Sequence, residues 1–226
     1  MKLVNIDFKN QIIFDNDRIN VLVIENSGLF YNYLTMLNKQ ILGENGEFVL
    51  SDNFKEIDLK NNAGIVTDYV NLSVNDRRLI TKLYNHLSES AKEAKFFEQY
   101  AALNSQMLSF LFDLENEVNI NLENNNEFAI IDFLKLYDVK VEDNSQTLLE
   151  KLINYINLVF EFNLYKLLIF VNLKNYLSKE DLLKFYKHII YKEYKVLLLE
   201  SSQMDCNIEY EKTLIIDKDM CEIVVE

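Results

Sequence analysis

The chain has 226 residues, of which 49% are hydrophobic, and a formal net charge of −13 at pH 7. That length and apolar content support one large or two small folded domains with a sizeable core and exclude a disordered chain. The longest apolar runs, such as Leu167 to Val171, fall far short of the roughly 20 residues that span a bilayer, and Met1 to Asp7 lacks the apolar core of a signal peptide, so the expectation is a cytoplasmic protein.

Lys2 to Phe8 and Gln11 to Phe14 read as strands around a turn at Lys9-Asn10. Ile19 to Ile24 is a near-continuous apolar run, the pattern of a strand covered on both faces. Glu25-Asn26-Ser27-Gly28 follows as a tight loop, and Leu29 to Leu42 as a helix with Asn26 or Ser27 as its N-cap. Strand, loop and helix in that order are the setting of a nucleotide-binding P-loop. That loop needs two glycines around a four-residue arc and then Lys and Ser/Thr to cradle phosphates. Here there is one glycine, Phe30 and Tyr31 stand where the Lys-Ser/Thr pair would fall, and no lysine follows the loop until Lys39. Phe48 to Leu50 and Gly64 to Thr67 are further strand candidates.

At Ser73 to Asp76 the texture changes. Ser73 with Asp76 is a capping-box-like start. From there to about Val118 neither glycine nor proline occurs, and apolar residues recur at spacings of three and four, which predicts one very long helix or two collinear ones. Asn119 to Asn126 is a polar break, and Glu127 to Tyr137 a shorter helix. Asn144-Ser145 is the expected cap of a helix over Gln146 to Asn163. The βα rhythm then resumes. Leu167 to Val171 is a buried strand, Ser178 with Asp181 opens a helix to about Tyr191, and Val196 to Leu199, Leu214 to Ile216 and Ile223 to Val225 complete a sheet. The expected fold is α/β, a head domain made from residues 1–72 and 146–226, with a helical leg at 73–145 inserted between them.

Function in an open α/β sheet sits at the carboxyl ends of the strands. The polar residues there are Glu25, Asn172, Glu200 and Asp217. Without a phosphate-loop lysine they read first as strand-end groups meeting water, and secondarily as the Mg²⁺ ligands of a diverged nucleotide hydrolase. His86 and His188 have no nucleophile turn such as G-x-S-x-G beside them, so both read as packing or surface histidines. Cys206 and Cys221 make neither a disulfide framework nor a zinc site.

Charge is sorted along the chain. Residues 166–195 hold seven lysines against Glu180, Asp181 and Glu193, net +4 in an acidic protein. On the helix opening at Ser178, Leu182, Phe185, Tyr186 and Ile189 supply the buried face by helical spacing, and Lys184, Lys187 and His188 the other. Lys174 and Lys179 fall just before it. A solubilising face is the ordinary reading. Repeated around a symmetric ring, the same stripe would create a field that binds phosphates without regard to base sequence. Conversely, residues 113–143 hold nine acids against Lys135 and Lys140. Glu115, Glu117, Glu123, Glu127 and Asp132, with Asn119, Asn121 and Asn124 to Asn126, are hard oxygen donors of the kind Ca²⁺ takes, though not at EF-hand spacing.

The ordered segments Val21 to Glu25, Ile65 to Asp68 with Val74-Asn75, Val139 to Glu142, Lys166 to Asn172, Tyr176 to Asp181 and Val196 to Ser201 resemble the type II-A CRISPR spacer-acquisition ring protein family, the small DNA-end-binding subunit of the adaptation machinery. The resemblance covers nearly the whole chain. It implies a degenerate P-loop-like head with a helical leg and a homotetrameric ring that holds double-stranded DNA ends in a basic hole. It implies bound calcium that orders the legs, no enzymatic activity, and work beside the CRISPR integrase and effector nuclease. By position, the resemblance places DNA contacts at Lys174, Lys179, Lys184 and Lys187. It places calcium ligands at Glu117, Glu123, Glu127 and Asp132, with Asn121 and Asn126 standing where relatives carry acids. The competing expectations are the diverged hydrolase and a pure interaction protein whose helical arm docks on a partner.

Overall fold

The structure is a computed structural model and describes residues 1–118, 120–204 and 209–225. In chain order its elements are β1 (Lys2–Asn5), β2 (Ile12–Ile13), β3 (Ile19–Ile24), α1 (Ser27–Ile41), β4 (Phe48–Asp52), β5 (Lys55–Ile57), α2 (Leu59–Asn62) and β6 (Ala63–Val66). Then come α3 (Arg77–Ala91), α4 (Ala94–Glu115), α5 (Ile130–Leu136), α6 (Leu148–Glu161), β7 (Leu167–Val171), α7 (Lys179–Tyr191), β8 (Val196–Glu200), β9 (Glu211–Ile216) and β10 (Glu222–Val225). A 3₁₀ turn at Leu173–Asn175 joins β7 to α7. The chain divides into two units, Met1–Val74 with Asp143–Glu226, and Asn75–Glu142.

The first unit is built on a six-stranded sheet in the order β10-β9-β3-β8-β7-β6. All neighbours in it are parallel except the edge pair β10–β9. The apolar run of β3 is buried along its whole length, because β8 and β9 flank it and both of its faces are covered. Leu22 and Ile24 of β3, with Leu197, Leu199, Leu214 and Ile216 beside them, pack into a cluster with Phe30, Tyr33 and Leu37 of α1. Each such fully buried aliphatic side chain contributes about 1.5–3 kcal/mol. The opposite face meets α7, where Phe185 stands edge-on to Phe170 with ring centroids 5.8 Å apart.

A second, antiparallel sheet in the order β2-β1-β4-β5 joins the same unit. β1 and β2 pair antiparallel around the turn expected at Lys9-Asn10, while the pairing of β1 with β4 is not legible in the hydrophobic pattern, because that ladder reaches across β3 and α1. Cap chemistry differs from expectation at two helices. The helix at 148 is capped by Thr147 in a reciprocal capping box with Glu150, not by Asn144-Ser145. Ser145 N–H and Oγ–H both donate to Asp143 instead.

In the second unit, Asp76 rather than Ser73 caps α3, accepting from the amides of Arg78 and Leu79 at 2.7 and 3.0 Å. The long periodic stretch breaks at Lys92-Glu93 into α3 and α4. Leu79, Tyr84 and Leu134 are its buried core, and Tyr84 Oη donates to the Val139 carbonyl at 2.9 Å. Asn75 closes the base of the unit: its carboxamide donates to Val141 O and accepts from Val141 N. Among the described residues, α4 has no buried side chain in its 22 residues.

Candidate nucleic-acid interface

The loop after β3 is filled by its own side chain. Asn26 Oδ1 accepts from the amides of Gly28 and Leu29 at 3.0 and 3.1 Å. Those first-turn N–H groups are what a phosphate would use at a helix N-terminus. The chain satisfies them with a carboxamide, and no lysine follows within the first turn of α1.

The other strand ends are engaged in the same way. Asn172 sits in the left-handed region with φ 55°, a conformation asparagine tolerates better than most residues. Its Oδ1 accepts from the Ser201 amide at 2.8 Å, locking the β7 and β8 ends together. Asp217 Oδ1 accepts from Asp219 and Cys221 amides at 2.9 and 2.8 Å and closes the β9–β10 turn. Glu200 is buried and accepts from the Lys174 amide at 3.2 Å. Burial pushes its carboxyl up to about 7, while the amides of Lys174 and Leu173 and the Lys174 ammonium hold it down against that trend.

Lys174 corrects the expected grouping of four surface lysines. Its side chain is only 4% exposed and its Nζ lies 2.7 Å from Glu211 Oε2. Tyr186 Oη donates to the other oxygen, Glu211 Oε1, at 2.9 Å. The 3₁₀ turn carries Lys174 inward under α7 rather than out into a loop. Its ammonium therefore neutralises a buried carboxylate at the start of β9. Sequence reasoning misses Glu211 and Tyr186 in this cluster, since nothing in the local pattern pairs Glu211 with residues 37 and 25 positions away.

Three of the four lysines do lie on the surface. Lys179 opens α7 and is exposed. Lys184 forms ion pairs with Glu180 at 2.8 Å and Asp181 at 3.6 Å, with its side chain 55% exposed. The Lys187 ammonium stands 5.8 Å from the Tyr210 ring centroid. Solvent-exposed pairs of the Lys184 kind are worth little, so they do not prevent the ammonium from meeting a phosphate. His188 turns inward, its Nε2 2.9 Å from Asn157 Oδ1, and burial, then the Lys192 charge, lowers its pKa.

The four acids expected to hold calcium, Glu117, Glu123, Glu127 and Asp132, are exposed. Asp132 pairs with Lys135 at 2.9 Å. Glu115 accepts from the Leu122 amide at 3.0 Å, while Glu117, Glu123 and Glu127 lie on the surface. Among the described residues no group of three His, Cys, Asp or Glu side chains is gathered to hold a metal ion. Within one chain the four expected carboxylates do not make a ready calcium cage. Asn119 and Cys206 fall outside the described residues. No described helix is long and apolar enough to cross a membrane.

Residues 40–220 match the family model for the CRISPR-associated protein Cas_Csn2. The CRISPR-associated protein Csn2 of Streptococcus agalactiae is 28% identical over 159 residues, covering 69% of this chain and 68% of that protein. The crystal structure of Stu0660 of Streptococcus thermophilus superposes with a TM-score of 0.64 at 15% identity, over 100% of this chain and 76% of that one. That likeness carries the α/β fold. The family match, which spans both units of the fold, identifies this chain as a member of the Csn2 family of CRISPR-associated proteins.

Proposed function

We propose that this chain works in CRISPR adaptation as a calcium-dependent homotetrameric ring that binds double-stranded DNA ends without sequence specificity. The observation that carries the DNA-binding part is the exposed lysine set of α7, Lys179, Lys184 and Lys187, on a chain of this family whose net charge is −13. Lysines act as point charges on phosphates and do not read bases bidentately. Arginine, the commoner base reader, occurs only at Arg18, Arg77 and Arg78.

Self-association is supported by α4. Phe97, Phe110 and Phe112 are each more than 60% exposed, and Leu111 and Leu114 more than 40%. Exposed apolar surface on that scale marks an interaction face, and a second copy of the chain is the partner the ring requires. Calcium is the part that rests on the family resemblance. Since the four carboxylates stand apart in one chain, ion binding draws them together or recruits donors from a neighbouring copy, coupling the ion to order in the ring.

The filled strand-end sites support a binding role over hydrolysis. Asn26, Asn172, Glu200 and Asp217 each engage backbone amides through their side-chain oxygens. The test is light scattering of the full chain with calcium and with a chelator, alongside DNA affinity in the same two conditions. A tetramer that binds DNA with calcium and loses both properties without it is expected. A calcium-independent monomer would overturn the proposal.

A further inference from the structure

Three charged side chains share the face of the large sheet that α7 covers. Glu200 ends β8 and Glu211 begins β9. β3 runs between these strands, with Val23 beside Glu200 and Ile19 beside Glu211. Leu199, Leu214 and Ile216 turn to the α1 side, so strand alternation puts both glutamates on the α7 side. Lys174 connects them. Its amide donates to Glu200 Oε1 at 3.2 Å, and its Nζ lies 2.7 Å from Glu211 Oε2. Each of the three residues is at most 7% exposed.

Two buried carboxylates therefore face one buried ammonium. Ionised together, they leave an unbalanced negative charge where such a charge is costly. A proton on one carboxyl removes it. Glu211 has the ammonium at 2.7 Å, so Glu200 is the group that takes the proton. Burial, which raises the Glu200 carboxyl to about 7, points the same way. Tyrosines also face the cluster. Tyr69, after β6, donates from Oη to Val171 O at 2.9 Å and carries Tyr176 on its ring, with centroids 4.7 Å apart. Burial, then the Glu200 charge, raises its pKa. Tyr186 of α7 donates from Oη to Glu211 Oε1 at 2.9 Å.

We propose that Glu200, Lys174 and Glu211 form a proton-operated latch that holds α7 on the sheet. With the Glu200 proton in place, the Lys174 ammonium serves Glu211, and Glu211 holds the Tyr186 hydroxyl. As pH rises, that proton passes to solvent and two carboxylates compete for one ammonium. Lys174 is drawn toward Glu200, the hold of Glu211 on Tyr186 weakens, and α7 opens more often. Lys184 and Lys187 lie on the exposed side of α7, so DNA affinity falls with the latch, a consequence that rests on the DNA-binding reading above.

The test is amide hydrogen exchange of the full chain at about pH 6 and about pH 8.5, each rate divided by its intrinsic value at that pH. In the wild type, protection of α7 falls about tenfold more than protection of α1, the helix on the opposite face of the sheet. In Glu200→Gln, which keeps an oxygen for the Lys174 amide, the two helices change together. Tyr186→Phe, which removes only the hydroxyl, lowers α7 protection at the lower pH and shrinks the pH difference. The latch is overturned by equal changes of α1 and α7 in the wild type, by a difference that Glu200→Gln retains, or by a Tyr186→Phe chain that behaves as the wild type. Affinity for a linear duplex at fixed salt is measured at the same two pH values. It falls several-fold more in the wild type than in Glu200→Gln, and His188 of α7, present in both chains, cancels from that comparison. An equal fall in both chains overturns the link to DNA. A duplex that binds at neither pH counts against the DNA-binding reading, while exchange alone then decides the latch.

Discussion

Lys174 Nζ meets Glu211 Oε2 at 2.7 Å in a site where both side chains are at most 4% exposed. The pair ties the turn after β7 to the start of β9 beneath α7, and the Tyr186 hydroxyl completes the coordination of Glu211. Removing one partner of such a pair leaves a buried charge and costs about 3–5 kcal/mol. Lys174→Ala is therefore predicted to lower the unfolding free energy by about that amount in urea titration. Any loss of DNA binding should follow the loss of fold. Lys174→Met with Glu211→Leu should cost less than the two single changes added together. Full additivity would show that the two side chains do not interact.

Glu200 makes stability depend on pH in a definite direction. Its folded carboxyl is raised to about 7 by burial, above the value of about 4.3 for a free glutamate. The folded state therefore holds a proton that the unfolded state releases between these values. The stability this contributes is fully present below about pH 4 and is lost as pH rises through about 7. The size is on the order of 3 kcal/mol. Glu200→Gln keeps an oxygen to accept the Lys174 amide and abolishes the titration. Denaturant midpoints of the wild type should fall relative to the variant between about pH 5 and pH 8. Parallel pH profiles would contradict the assignment.

Asn26 holds the first turn of α1 through two amides. Asn26→Ala should cost about 1 kcal/mol, the usual effect of losing an N-cap, while Asn26→Asp should retain most of it. Chemical denaturation of the two variants checks this. Equal stability of Asn26→Ala and the wild type would mean that the cap contributes nothing.

Much of the first unit is legible in the sequence. The β3 run announces a strand covered on both faces, and the lysine and apolar spacing of α7 assigns its two sides, with Phe185, Tyr186 and Ile189 buried and Lys184 and Lys187 out. What the sequence hides is non-local. Lys174 looks like a loop lysine because its partner Glu211 lies beyond α7 and β8. The pairing of β1 with β4 is hidden for the same reason, since it reaches across the intervening β3 and α1. Local chemistry also misleads where two cap residues compete. Thr147 has Glu150 three residues on and closes a reciprocal box, whereas Ser145 bonds back to Asp143.

The apolar surface of α4 makes assembly testable apart from DNA. Phe110→Ser with Phe112→Ser replaces two side chains that are each 63% exposed, so folding of the single chain should change by no more than about 0.5 kcal/mol, as for surface substitutions generally. Sedimentation should show a shift from the proposed tetramer to smaller species. An unchanged mass would place the interface elsewhere.

Lys179→Gln, Lys184→Gln and Lys187→Gln combined should weaken binding uniformly across DNA sequences. They should also flatten the dependence of log affinity on log salt by about 0.9 for each phosphate no longer neutralised. Lys174 belongs outside this set. A slope that does not move would mean that these lysines do not touch the backbone.

The central claim, a ring that takes DNA by its ends, is tested most directly by equilibrium binding to linear and covalently closed circular duplexes of equal length and sequence, with calcium present. Stable binding to the linear form and its loss on the closed circle is the predicted result. Equal affinity for both forms would contradict it.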